Sequence, residues 1–116
     1  MKLTKKDHKR CEVLMKKWRA KLGLLNYKIY LRIVENSDNE QKGELFPCQG
    51  IDRVANIFLN SNYEFKHIED VEETIFHELL ELMLHDLRLA SSLQIETTNK
   101  MCHEVIRRLE NLIFEQ

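Results

Sequence analysis

The stretch from Val71 to Leu89, V-E-E-T-I-F-H-E-L-L-E-L-M-L-H-D-L-R-L, restricts the fold more than any other part of the chain. At about 100° per residue, Thr74, His77, Glu78, Glu81, His85 and Arg88 fall within one arc of roughly 100° on a helical wheel. Val71, Ile75, Phe76, Leu79, Leu80, Leu82, Met83, Leu84 and Leu87 occupy most of the remaining circumference. A helix apolar over most of its surface must be packed on several sides, so this one is expected at the centre of the domain. A polar stripe is ordinarily a solvated face and usually rich in Lys. This one holds two His, two Glu, a Thr and an Arg but no Lys, although Lys is plentiful elsewhere in the chain.

Within the stripe, His77-Glu78-Leu79-Leu80-Glu81 differs by one residue from the H-E-x-x-H helix of zinc peptidases. In that arrangement residues i and i+4 project from one face and bind one metal, while the Glu beside the first His polarises the metal's water. His77 and Glu81 stand one turn apart and can share an ion. His85 is two turns from His77, roughly 12 Å along the axis, too far to complete the same site from an undistorted helix. An outer role orienting Glu81, or a purely structural one, suits it better.

A catalytic zinc site has three protein ligands and an open position, so a third donor must come from elsewhere. His103 and Glu104, in a helix expected to run back along the central one, are the candidates. Measured from the stripe Met101, Val105, Leu109 and Leu112, Glu104 lies roughly 95° away and His103 roughly 165° away. That favours Glu104 until Cys102, Ile106 and Ile113 are added to the stripe, when the preference disappears, leaving His103 as an outer candidate beside His85. Glu104 as a plain surface charge among Arg107, Arg108 and Glu110 accounts for the periodicity equally well.

At 116 residues the chain is expected to form one domain over 1–116, large enough for a hydrophobic core. No apolar run approaches the roughly 20 residues of a membrane span, so no membrane partner is expected. The charged start, M-K-L-T-K-K-D-H-K-R, lacks the apolar core of a signal peptide, which points to the cytoplasm. Cys11, Cys48 and Cys102 have no C-x-x-C spacing and read as isolated reduced thiols. Residues 1–21 carry nine Lys/Arg against Asp7 and Glu12, while the rest of the chain is acidic. Trp18 is the only aromatic residue before Tyr27, so the basic first helix lacks interleaved rings and nucleic acid is not the expected partner.

In chain order, Thr4-x-x-Asp7 resembles a capping box opening a helix over 5–21, with Cys11, Leu14, Met15, Trp18 and Leu22 on its buried face and Gly23 at its end. Tyr27 to Val34 reads as a strand with Tyr27, Ile29, Leu31 and Ile33 on one face. Glu35 to Gly50 reads as a loop with a short strand at Glu44–Phe46. Ile51 to Asn60 is a further strand, clearest from Val54, and Asn60-Ser61-Asn62 turns the chain. Asp70-x-x-Glu73 offers a cap for the central helix, which is predicted to run to about Leu89. Ser91 with Gln94 restarts a helix that runs to about Phe114. The predicted class is α+β: an N-terminal helix, a small sheet of two or three strands, the motif helix and a C-terminal helix.

The segment E-T-I-F-H-E-L-L-E-L-M-L-H, with H-E-V-I-R-R-L-E-N-L downstream, resembles the small phage-associated and bacterial metallopeptidase-like proteins, minimal zincin-like domains bearing an H-E-L-L-H helix. The order of elements is similar over residues 11–114, although only the motif helix is specific. The resemblance implies His77 as first ligand, Glu78 as general base and Glu104 as third ligand. The chain departs from the pattern at the second ligand, where Glu81 replaces His. One His with two carboxylates carries an extra negative charge, weakens the metal as a Lewis acid and leans from zinc toward harder ions such as Mn²⁺. The change is compatible with altered metal choice, weakened catalysis or a retired enzyme that binds no metal.

Two classes of function follow. The first is a metal-dependent peptidase acting on a peptide or protein, with Glu78 moving the proton and the edge of the Val54–Leu59 strand receiving an extended chain. The second is a non-catalytic phage or mobile-element protein, keeping the fold as a protein- or nucleic-acid-binding module. The sequence leaves the substrate and oligomeric state open.

Overall fold

The computed structural model describes residues 1–47 and 53–85, and beyond them only His103, Ile106, Arg107, Glu110, Ile113 and Phe114. The chain is α+β, as its patterning predicts. A 3₁₀ turn, Lys5–Asp7, leads into α1 (His8–Lys21); β1 (Lys28–Val34), β2 (Gly43–Pro47), β3 (Val54–Asn60) and α2 (Ile68–Met83) follow. The six described positions from 103 to 114 are helical.

Local chemistry accounts for the ends of α1. The Thr4 N–H donates to Asp7 Oδ2 at 2.8 Å, closing the expected box at the entry. At the exit Gly23 adopts φ 72°, and the Leu24 N–H reaches back to the Arg19 carbonyl at 3.0 Å in a Schellman closure that only glycine enters without strain. The cap of α2 differs from expectation. His67, not Asp70, is the N-cap residue. Asp70 lies inside the first turn, where its carboxylate accepts from the Lys66 N–H at 3.2 Å and from Lys42 Nζ at 3.0 Å. Lys42 thus draws Asp70 into the helix start, where the dipole favours an acid.

α2 is continuous as far as Met83. Leu84 closes it, in a last turn with no cation to complement the carbonyl end. His85 is helical again. The predicted continuation to Leu89, the restart at Ser91 and Gln94, and the stripe Met101, Val105, Leu109 and Leu112 lie outside the described residues, as do Cys48, Ile51 and Cys102.

The strands form one sheet in the order β1-β3-β2. β1 and β3 are parallel, with Leu31 opposite Ile57, whereas β2 runs antiparallel to β3, with Leu45 opposite Ile57. The expectation that Val54–Leu59 presents a free edge is therefore wrong. β3 is central and has both edges paired, because β2 folds back along one side of it while β1 occupies the other. The strand bordering α2 is β2.

Both helices pack on the same face of the sheet. Leu31, Ala55, Ile57 and Leu59 meet Cys11, Met15, Val71, Ile75, Leu79 and Leu82 in the main core. A second cluster on the other side of α2 joins Phe76, Leu80 and Ile106, with Trp18 and Phe114 against them. α2 is thus apolar on two sides, as its wheel requires. Trp18 anchors three elements. Its ring meets Phe76 edge-on at 4.8 Å, and its Nε1–H donates to Glu72 Oε2 at 2.7 Å.

The β1–β2 connection is held by Asn60, only 2% exposed at the end of β3. Its Nδ2 donates to the carbonyls of Asp38 (2.8 Å) and Gln41 (2.7 Å), and its Oδ1 accepts from the backbone of Asn36 (3.1 Å) and Asn62 (2.9 Å). This network places Lys42 and Gly43 against α2. A Cβ on Gly43 would stand 2.9 Å from the Phe58 carbonyl oxygen and 3.3 Å from Thr74 Cγ2, so glycine permits the close approach of β2 to the helix.

Candidate metal centre

The described part of the polar stripe of α2 is largely turned inward. Thr74 and Glu78 are buried, and Glu81 is largely covered. On one side stands β2, on the other the C-terminal helical residues. Among the described residues one cluster of donors results: a nitrogen of His77, a carboxylate oxygen of Glu81 and a nitrogen of His103 lie within 4.8 Å of one another. Glu81 Oε1 is 3.8 Å from His77 Nε2 and 3.2 Å from His103 Nδ1.

These three residues could hold a metal ion. Donors at 2.0–2.1 Å from a tetrahedral zinc are separated by about 3.4 Å, and the separations here, 3.2 Å, 3.8 Å and no more than 4.8 Å, bracket that spacing. Two imidazoles and one carboxylate form one of the donor sets of catalytic zinc sites. The extra negative charge expected from His77, Glu81 and Glu104 does not arise in this trio, because a second imidazole takes the third place. Glu104 itself lies outside the described residues.

The narrow apolar wheel sets His103 far from the buried stripe, yet its Nδ1 stands 3.2 Å from Glu81 Oε1 on α2. Among the described residues of the C-terminal segment, the polar His103 and Glu110 meet Glu81 and His77, while the apolar Ile106 and Phe114 pack against Phe76. A wheel weighted by hydrophobicity cannot register such polar contacts. The signal that was available is spacing, since His103 and Glu110 are separated by two turns on either side of Ile106.

Sequence reasoning misses Glu110 as a functional residue. His77 Nδ1 donates to Glu110 Oε1 at 2.9 Å, which turns Nε2 toward Glu81 and His103. A carboxylate on the far nitrogen fixes both tautomer and ring orientation, as for ligand histidines in general. The Glu110 hydrogen bond raises the His77 pKa above its ordinary value, against the opposing effect of burial. Glu73 also lies beside Glu110, and burial followed by the Glu110 charge pushes its carboxyl upward.

Glu78 is the buried acid of the site, 8% exposed. Burial pushes its pKa from 4.5 up to about 7; Glu81, Glu44 and Glu110 add to the rise, while His77 opposes it. The group therefore exchanges a proton near neutral pH, which a general base or acid must do.

Two cavities of about 270 Å³ each meet at His77 and Glu78. One is bounded by Lys42, Gly43, Glu73, Thr74 and Glu110. The other is bounded by Leu45, Pro47, Glu81, His85 and His103. His85 thus stands in the wall of the centre, with a buried Nε2 that has no hydrogen-bond partner among the described residues. Arg88 lies outside the described residues.

Comparison with protein-family models, with curated proteins and with solved structures finds no match. The chemistry of the site must be argued from its own residues. Among the described cysteines, Cys11 is free and buried. Burial and the Asp7 charge push its thiol up to about 11, so it is an inert core group. No helix among the described residues is long and apolar enough to cross a membrane.

Proposed function

We propose that the chain is a metal-dependent peptidase of the minimal zincin-like kind, with His77, Glu81 and His103 holding zinc and Glu78 as general base. The observation that carries this reading is the convergence of three donors from two helical segments beside a buried carboxylate with a pKa near 7. Relative to H-E-x-x-H domains with a Glu as third ligand, carboxylate and imidazole have exchanged places. Glu81 stands at i+4 and His103 comes from the C-terminal helix. The exchange preserves the charge of the donor set, which supports zinc over manganese.

A divalent cation there would supply Lewis-acid activation of a water and of the scissile carbonyl. Glu78 takes the proton from the attacking water and delivers it to the leaving amine nitrogen. Glu110 holds His77 in register throughout. β2, whose outer edge pairs with no strand among the described residues, is the natural rail for an extended peptide, in place of β3.

The test is metal content followed by turnover. Wild type should bind about one equivalent of zinc, lost in His77→Ala, Glu81→Ala and His103→Ala. The same titration on Glu104→Ala shows whether that residue adds a donor. Glu78→Gln should retain the metal and lose peptide hydrolysis by a factor of about 10² to 10⁴. A wild type that takes up no added zinc, or a Glu78→Gln protein that cleaves as well as wild type, refutes the assignment.

A further inference from the structure

The face of the sheet turned away from the helices lines neither cavity of the metal centre. Across the three strands, Tyr30, Asn56 and Phe46 stand in one row and Arg32, Phe58 and Glu44 in the next. Tyr30 and Phe46 are 50% and 49% exposed, unusual for rings in the middle of strands. The Phe46 and Phe58 rings lie 5.2 Å apart. Three aromatic residues distant in sequence thus form one platform.

A track of one charge sign borders it. Along the outer edge of β1, a cavity of about 210 Å³ is lined by Lys16, Arg19, Lys28 and Tyr30 with Met15 and Ile29, and no carboxylate lines it. Arg19 is held in place there, its Nη2 donating to the carbonyls of Leu25 at 3.0 Å and Tyr27 at 2.7 Å. Past the rings, toward the ends of β1 and β3, a cavity of about 380 Å³ is lined by Phe46 and Phe58 with Val34, Gln41 and the two carboxylates Glu35 and Glu44.

We infer that this face binds single-stranded nucleic acid, the phosphates following Lys16, Arg19 and Lys28 and the bases stacking on Tyr30, Phe46 and Phe58. Sequence-tolerant single-strand sites combine a cationic track with exposed rings, because every base has a π-face and every nucleotide a phosphate. The charge layout sets the orientation. Cations gather at the Lys28 end of β1, and Glu35 and Glu44 stand at the far end of the face, so the phosphates lie beside the first half of β1 and the bases extend toward Phe46 on β2. Asn56 and Arg32, between the rings, supply hydrogen-bonding groups for base edges. An acidic peptide would satisfy the cations and leave the rings unused. A duplex would keep its bases stacked on each other and away from the platform.

Fluorescence anisotropy of a labelled oligothymidylate of about ten nucleotides, with the full chain and EDTA present, tests the proposal independently of the metal centre. Binding is expected to be much tighter than to a duplex of the same length or to polyglutamate. Tyr30→Ala and Phe46→Ala, at exposed positions and checked by circular dichroism, should each weaken it about tenfold. Three phosphate contacts predict a slope of about −2 in log K against log salt, made shallower by Lys28→Glu. Ultraviolet crosslinking of wild type, mapped by mass spectrometry, should mark Tyr30, Phe46 or Phe58 without recourse to variants. Absence of binding, equal affinity for duplex, polyglutamate binding of the same strength, aromatic variants that bind like wild type, or crosslinks confined to other segments would each overturn it.

Discussion

Replacing Glu78 by Gln separates what the buried carboxylate costs from what it does. Glu78 is 8% exposed, and burial is the main reason its pKa stands at about 7, above the ordinary 4.5. An acid whose folded value is raised stabilises the fold fully below the unfolded value and loses that contribution as pH rises through the folded one. Here the loss runs between about pH 4.5 and pH 7. At 1.36 kcal/mol per pH unit the gap is worth about 3 kcal/mol once the group is fully ionised. Glutamine has nearly the same shape and no charge, so Glu78→Gln should match wild type near pH 4.5 and exceed it by up to about 3 kcal/mol at pH 8. In thermal unfolding that is on the order of 10 °C for a domain of this size.

The assay is urea and thermal denaturation of both proteins in EDTA, from pH 4.5 to pH 8. His77 also disfavours alkaline conditions, because its raised pKa means that its stabilising charge is lost as pH climbs. The charges of His77 and Glu78 act on each other, so part of that slope differs between the two proteins and enters their difference. A difference independent of pH, or a Glu78→Gln protein less stable than wild type at pH 8, would refute the argument that desolvation sets the state of this carboxyl.

Glu110→Gln removes the carboxylate from His77 Nδ1 and should weaken zinc binding about 10- to 100-fold, read by competition with a chromogenic chelator. Gly43→Ala pushes a methyl against the Phe58 carbonyl oxygen and should cost about 1–3 kcal/mol in urea unfolding, with an unchanged m-value. Asn60→Leu strands two carbonyls and two backbone N–H groups, and should lower stability by about 2–3 kcal/mol while leaving the α2 donors intact for zinc. Added zinc should raise the melting temperature of wild type in a concentration-dependent way, and the rise should vanish in His103→Ala.

Much of the molecule is written in local patterns. The capping box at Thr4, the glycine exit at Gly23 and the alternation of β1 are one-dimensional signals, because hydrogen bonds and side-chain periods within a few residues produce them. The central position of α2 follows from its apolar circumference, and the pairing of His77 with Glu81 from the pitch of a helix. Other features depend on contacts that no local pattern encodes. Strand order is one: β3 is central only because β1 and β2, from different parts of the chain, both pair with it. The place of His103 and Glu110 is another, since hydrophobic periodicity reports which residues avoid water and not which polar ones are turned inward to meet each other. The aromatic platform is a third. Tyr30, Phe46 and Phe58 become neighbours only through sheet register, which tertiary packing sets.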